Sequence, residues 1–197
     1  MVIFRELLSP VAQQWLVDLF FRLGDSSLRG GFGCFEQGPH GRRLLNYGHR
    51  AQYVDELAEF PAAFRQLHES IQARVRDCKH CGDAPASVAI LNYYCGRSSG
   101  MGWHVDADTE PPHATPEEAH GSAVVSLSIG DSCHFRYRDS GARSATERSV
   151  RLNSGDVLVF GGPSRKVEHC VSDLDVSGRP QWLSMPSGRI NVTFRMW

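Results

Sequence analysis

The 197-residue chain has little lysine, no excess charge of either sign and no long apolar run. Lys79 and Lys166 are its only lysines, and 21 Lys+Arg against 22 Asp+Glu leave a net charge of −1. A protein held to nucleic acid by general basicity shows a positive excess, so that mode is excluded for the surface as a whole, though a local basic patch stays open. No stretch approaches the roughly 18 consecutive apolar residues that a membrane helix needs. Residues 1–23 carry Arg5, Glu6, Asp18 and Arg22, which suit neither a secretory signal nor a transit peptide. The expectation is an intracellular protein, cytoplasmic or nuclear. Cysteine is sparse too: the six residues at 34, 78, 81, 95, 133 and 170 are too scattered for a secreted disulfide framework. Cys78-Lys79-His80-Cys81 has no second pair at zinc-finger spacing and carries little weight.

With 41% hydrophobic and 22% charged residues, the composition is that of a folded protein rather than a disordered one. The length suits one domain, 1–197. Ser9-Pro10 is a helix start, Ser capping and Pro in the first turn. Val11, Trp15, Leu16, Leu19, Phe20 and Leu23 follow at helical spacing until Gly24. A Gly-rich stretch covers 30–41. Phe64, Leu67, Ile71 and Val75 predict a second helix over 61–77. From Val88 the texture changes to short β-rich runs near 88–94, 102–106, 123–129, 133–138, 148–152, 156–160, 166–171 and 188–196. The fold expected is α+β and mainly β: a jelly roll (double-stranded β-helix) over 88–197, buttressed by N-terminal helices over 1–87, a part that also holds a candidate substrate lid. The polar, Pro-containing segment 107–122 is too long for a hairpin turn and suits a functional loop.

Three segments carry chemistry. His104 and Asp106 are two residues apart, which on a strand puts both on one face. His169 follows 65 positions later, after a Gly161-Gly162-Pro163 turn. Two histidines and one carboxylate form a facial set on an octahedral iron(II) ion and leave its other positions open, as oxygen chemistry requires. The C-terminal run alternates strictly: Arg189, Asn191, Thr193 and Arg195 share one face, and Ile190, Val192 and Phe194 the other. Two arginines facing a barrel interior are costly without an anion, and a small dicarboxylate such as 2-oxoglutarate answers that cost. Asn92 and Tyr94 add an amide and a phenol on one face of another strand.

Taken in order, Asn92-Tyr93-Tyr94 with Gly96, His104-Val105-Asp106-Ala107-Asp108, Val125-Ser126-Leu127-Ser128-Ile129-Gly130, the run 154–165 leading to His169, and the closing run 189–195 resemble the AlkB family of Fe(II)/2-oxoglutarate-dependent dioxygenases. The resemblance covers about Asn92 to Arg195. It implies His104, Asp106 and His169 as iron ligands, and a 2-oxoglutarate site made of Asn92, Tyr94, Arg189, Asn191 and Arg195. Within that site it assigns Arg189, Asn191 and Tyr94 to the distal carboxylate, and Arg195 with Asn92 to the one nearer the metal. It places Asp108 in the substrate pocket, and it implies Fe(II), 2-oxoglutarate and O2 as the reactive set. The activity implied is oxidative demethylation of N-alkylated bases in DNA or RNA, releasing formaldehyde, succinate and CO2. Two other readings use the same pattern: a protein or small-molecule substrate on the same catalytic core, or a jelly-roll module that binds without catalysing. A basic groove beside the iron, from Arg42, Arg43, Arg50 or Arg97, would favour nucleic acid. Phe35, Tyr47 and Tyr53 are candidates to stack on a flipped base, with ordinary packing the plainer role for each. Cys170 stands where this family usually has glycine, an oxidisable thiol expected beside the metal.

Overall fold

A computed structural model describes residues 1–25, 42–48, 60–78, 85–106, 123–139 and 146–195. Along the chain come β1 (Val2–Phe4), α1 (Pro10–Asp25), β2 (Arg42–Gly48), α2 (Ala62–Arg74), β3 (Val88–Tyr94), β4 (Met101–His104), β5 (Val124–Gly130) and β6 (Ser132–Arg138). They are followed by β7 (Arg148–Leu152), β8 (Val157–Phe160), β9 (Glu168–Asp175) and β10 (Arg189–Arg195). The strands form two antiparallel sheets, ordered β1-β8-β5-β10-β3-β2 and β4-β9-β6-β7.

Short links fix how the sheets face each other. Asp131 alone separates β5 from β6, and a four-residue turn joins β7 to β8, so these pairs lie opposite one another. Sheet order then sets β10 over β9 and β3 over β4. One strand, β2, extends the large sheet past the edge where β4 ends. This is the jelly-roll architecture expected from the strand spacing.

The large sheet is covered on its outer side by the two helices. Leu16, Val17 and Phe20 of α1 and Phe64 and Ile71 of α2 share one apolar cluster with Leu91, Leu127, Val157, Ile190, Val192 and Phe194. A second cluster fills the space between the sheets, built from Tyr94, Val124, Cys133, Phe135, Leu152, Leu158, Phe160 and Leu174. Local chemistry matches the expected starts: Ser9 Oγ accepts from the Ala12 backbone N–H, with Pro10 opening α1. Gln13 ties that helix to the sheet, since its Oε1 accepts from Ser154 Oγ at 2.6 Å and its Nε2 donates to the Leu8 carbonyl.

Several expectations are corrected in extent. Strands β1 and β2 lie in the part assigned to helices. They are short or carry adjacent apolar and polar residues, and they gain their pairing from β8 and β3. The strand expected at 166–171 is Glu168–Asp175, and the one expected at 102–106 stops at His104. The expected helix 61–77 is the shorter Ala62–Arg74.

His68 of α2 is 4% exposed and packs edge-on against Phe194, 5.4 Å between ring centres. Burial lowers its pKa to about 4. The unfolded chain protonates this imidazole near pH 6.5 while the folded one does not, so the stability it contributes is whole above that pH. It is lost as pH falls from about 6.5 to about 4, by up to about 3 kcal/mol. Replacing His68 with Leu should flatten that acid limb, read from urea midpoints between pH 7 and 4; an unchanged limb would place the sensitivity elsewhere.

Candidate functional site

The register of β4 and β9 sets His104 opposite His169, with ring centres 4.2 Å apart. Phe135 stacks on His169 at 5.1 Å and Phe160 meets it edge-on at 5.3 Å, one ring from each sheet. Each imidazole engages a backbone carbonyl through Nδ1, that of Gly102 at 2.8 Å for His104 and that of Val167 at 3.1 Å for His169. A neutral ring donating Nδ1–H to a carbonyl keeps its Nε2 lone pair for another partner. Both Nε2 atoms face Asp106, at 3.5 Å from Oδ1 and 3.8 Å from Oδ2. Among the described residues, His104, Asp106 and His169 form a group whose ligand atoms lie within 4.8 Å of one another, close enough to share one ion. Two imidazoles pre-set in the metal-binding tautomer beside a carboxylate fit a divalent transition metal.

Asp106 does not reach this place as a strand residue. It lies in the turn after β4, so a shared strand face does not aim its carboxylate; two arginines hold it. Arg165, 1% exposed, donates from Nη1 to the Asp106 carbonyl at 2.8 Å. Arg195 of β10 donates from Nη2 to Asp106 Oδ1 at 2.5 Å. Burial pushes the Asp106 carboxyl up, but Arg195 and then the two imidazoles outweigh it and hold the group well below the usual carboxylate range. Burial also works against charging His104, yet hydrogen bonding and attraction to Asp106 raise its pKa overall. For His169, burial dominates and the pKa falls.

The other end of β10 carries the second half of the site. Arg189 is 1% exposed and donates from Nη2 to Ser128 Oγ at 3.0 Å, while among the described residues its Nε and Nη1 are buried without a partner. Beside it the buried Tyr94 phenol is raised by desolvation, a rise that Arg189 and Arg42 oppose. Gly130 and Gly188 allow the chain to close here. Both have φ in the left-handed region (92° and 135°), and a Cβ on Gly130 would lie 2.5 Å from the Gly188 carbonyl oxygen. Asn191 donates to Ser126 Oγ at 2.8 Å and to the Leu127 carbonyl at 3.0 Å, and accepts from Thr193 Oγ1 at 3.0 Å. It also accepts from Asn92 Nδ2 at 3.4 Å, and Asn92 Oδ1 is left buried without a partner. A buried guanidinium with two unpaired donor nitrogens costs several kcal/mol unless an anion meets it, which fits a carboxylate at this end.

Three residues of this site were given no role from the sequence. Ser126 and Ser128 had a readable signal, being the polar alternates of an otherwise apolar strand. Arg165 closes the run 154–165 that carries the resemblance, but its hold on the Asp106 carbonyl is a tertiary contact that no local pattern shows. The remaining candidates fall elsewhere. Tyr47 packs on the outer face of the sheet, edge-on to Phe64 at 5.7 Å. Arg42 and Arg43 pair with Tyr94 and Tyr93, at the Arg189 end of the sheet rather than the Arg195 end that meets Asp106, so these two do not form a basic groove beside the three ligands. Cys170 is in register with Arg136, on the outer face of the small sheet, so its thiol points away from His169's side rather than lying beside the metal position. Trp103 likewise faces outward, under the Arg138 guanidinium at 4.1 Å. Phe35, Arg50, Tyr53, Cys81 and Asp108 lie outside the described residues.

Asp106→Asn and His169→Ala should each weaken Mn2+ binding by more than the roughly 10- to 100-fold typical of losing an outer-shell partner. Arg189→Met should leave it unchanged. Titration calorimetry reads both, and an unaltered affinity in the Asp106 variant would rule out the shared ion.

Comparison with known proteins agrees with this geometry. The family described as the 2OG-Fe(II) oxygenase superfamily matches residues 2–195. Over 114 residues (56% of this chain and 24% of the relative), the chain is 39% identical to the "DNA N(6)-methyladenine demethylase ALKBH1C" of Arabidopsis thaliana. Over 147 residues (72% of this chain and 34% of the relative), it is 28% identical to the human "Nucleic acid dioxygenase ALKBH1". The chain therefore matches only a quarter to a third of the length of these relatives. The solved structure of OsALKBH1 superposes with a TM-score of 0.76 at 28% identity, covering 99% of this chain and 97% of that one. A superfamily of that description uses iron(II) and 2-oxoglutarate. The chain belongs to the 2OG-Fe(II) oxygenase superfamily and, within it, to the AlkB family.

Proposed function

We propose that the chain is an Fe(II)/2-oxoglutarate-dependent dioxygenase that demethylates N-alkylated bases in DNA or RNA. The observation that carries this reading is the layout of β10. One end delivers Arg195 to the Asp106 carboxylate between two imidazoles, and the other buries Arg189 with two nitrogens unpaired. The relatives whose names specify nucleic-acid substrates support the substrate class.

His104, Asp106 and His169 would hold the iron through Nε2, a carboxylate oxygen and Nε2. Arg189 would grip the distal carboxylate of 2-oxoglutarate, with Tyr94 beside it and Asn191 keeping the strand face in order. Arg195 and Asn92 would serve the carboxylate nearer the metal, Arg195 while also orienting Asp106. With iron and 2-oxoglutarate bound, that pair supplies the oxidation of an N-methyl carbon by O2, yielding succinate, CO2 and formaldehyde. Phe135, Phe160 and the rest of the inter-sheet cluster keep water from the His169 side of the centre. Asp108, two residues beyond Asp106 in the sequence, is the candidate carboxylate for pairing with a cationic methylated base.

The test is formaldehyde release from a panel of methylated DNA and RNA oligonucleotides, with methylated peptides as controls. Release from peptides alone would overturn the nucleic-acid reading. His104→Ala should abolish succinate formation; succinate at the wild-type rate would overturn the iron assignment. Arg189→Met should raise the 2-oxoglutarate Kd roughly 10- to 150-fold, the cost of a lost charged hydrogen bond, with the Mn2+ affinity intact.

A further inference from the structure

The inner face of the large sheet is ordered in rows set by the strand register. One row runs Arg42, Tyr94, Arg189, Gly130, and the next runs Leu44, Asn92, Asn191, Ser128. A third runs Asn46, Ile90, Thr193, Ser126. The first two rows hold the anion end. The third lies one step from Arg195, whose guanidinium meets Asp106. Leu45 and Tyr47 pack outward with the helices, so the alternation of β2 turns Asn46 inward. Asn46 is 8% exposed, and among the described residues its Oδ1 is buried without a hydrogen-bond partner. It therefore presents an unmet acceptor on the strand that overhangs the β4 edge, two strands and roughly 10 Å from β10. A buried amide left this way is costly in the free protein, and a ligand that completes it recovers that cost.

Resting on the demethylase reading, we propose that Asn46 is a specificity-determining residue that reads the Hoogsteen edge of a methylated adenine. Side-chain amides pair with adenine in two bonds: the N6–H donates to Oδ1, and Nδ2–H donates to N7. N6-methyladenine keeps one N6–H, and the methyl takes the Watson–Crick side while that hydrogen takes the N7 side. An amide gripping N6 and N7 thus turns the methyl-bearing edge away from β2. In this fold the opposite side of the mouth is the β4 edge, where His104 and Asp106 stand. Cytosine has no N7 acceptor and offers only half of this pairing. Guanine presents O6, an acceptor, where the amide oxygen needs a donor.

The experiment compares wild type, Asn46→Ala and Asn46→Asp on an oligonucleotide carrying N6-methyladenine and on the same oligonucleotide carrying 7-deaza-N6-methyladenine, which lacks the N7 acceptor. Asn46→Ala should lower kcat/KM for formaldehyde release roughly 10- to 100-fold. 2-Oxoglutarate affinity, oligonucleotide-free succinate formation and the melting temperature should stay near wild type. The 7-deaza substrate should lose a comparable part of that factor in wild type and no more in Asn46→Ala. Asn46→Asp, which keeps an acceptor for N6–H but sets a carboxylate against N7, should prefer the 7-deaza substrate. Wild-type activity that is indifferent to N7, or to Asn46→Ala, overturns the assignment and leaves the demethylase reading standing. Activity confined to methylated cytosines overturns it as well. Absence of formaldehyde from every methylated oligonucleotide overturns both.

Discussion

The Asp106–Arg195 contact joins the two sheets at the point where the fold is least able to tolerate an unpaired charge. A carboxylate in the mouth of a β-sandwich is expensive unless opposite charge and hydrogen bonds meet it. Here the guanidinium comes from β10 of the large sheet and the carboxylate from the turn after β4 of the small one, so the pair also fixes how the sheets close. Arg165 holds the backbone of the same residue from a third direction. The imidazoles face a carboxylate whose position is already determined, which is the pre-organisation a metal site needs.

The same strand solves two problems through alternation. Its outward residues Ile190, Val192 and Phe194 enter the cluster beneath the helices, and its inward residues carry the polar site. Asn191 alone meets Ser126, the Leu127 carbonyl, Thr193 and Asn92. Among the described residues, Arg42 Nε, Arg189 Nε and Nη1, Asn92 Oδ1, Asn46 Oδ1 and Arg195 Nε on that face lack a hydrogen-bond partner, and the Asp131 carboxylate and Arg179 Nη1 lack one elsewhere, 3.8 Å from each other. Buried polar atoms without partners are rare in folded proteins, so the six on the inner face suit bonds supplied by ligands, while the Asp131 and Arg179 groups have each other's charge close by.

This division explains what was readable in the sequence. The run 189–195 was legible because period-two alternation and charge coincide in seven residues. The His104, Asp106 and His169 set was legible as residue types, but the geometry offered for it was partly wrong, since the strand ends before Asp106 and tertiary contacts aim the carboxylate. Cys170 was misplaced because sequence adjacency to His169 was read as spatial adjacency, whereas consecutive strand residues point to opposite faces. β2 was invisible for a different reason. It follows a Gly-rich stretch, and its order comes from pairing with β3 rather than from its own pattern, so Asn46 could not be placed either.

The site's polarity follows from where each part sits in the sheet order. β10 is flanked by β5 and β3 and faces β9, and Arg189 at its anion end is 1% exposed. β4 is an edge strand, and the large sheet runs past it by one strand, β2. On the proposed reading a flat group would enter between the short edge strand and the overhanging one, opposite the wall that Phe135 and Phe160 pack against His169. On the proposed reading, a planar base brought in along β2 would meet His104 and Asp106 at its far edge, with the buried end of β10 left to the small acid. On that reading the two ligands would not compete for the same donors.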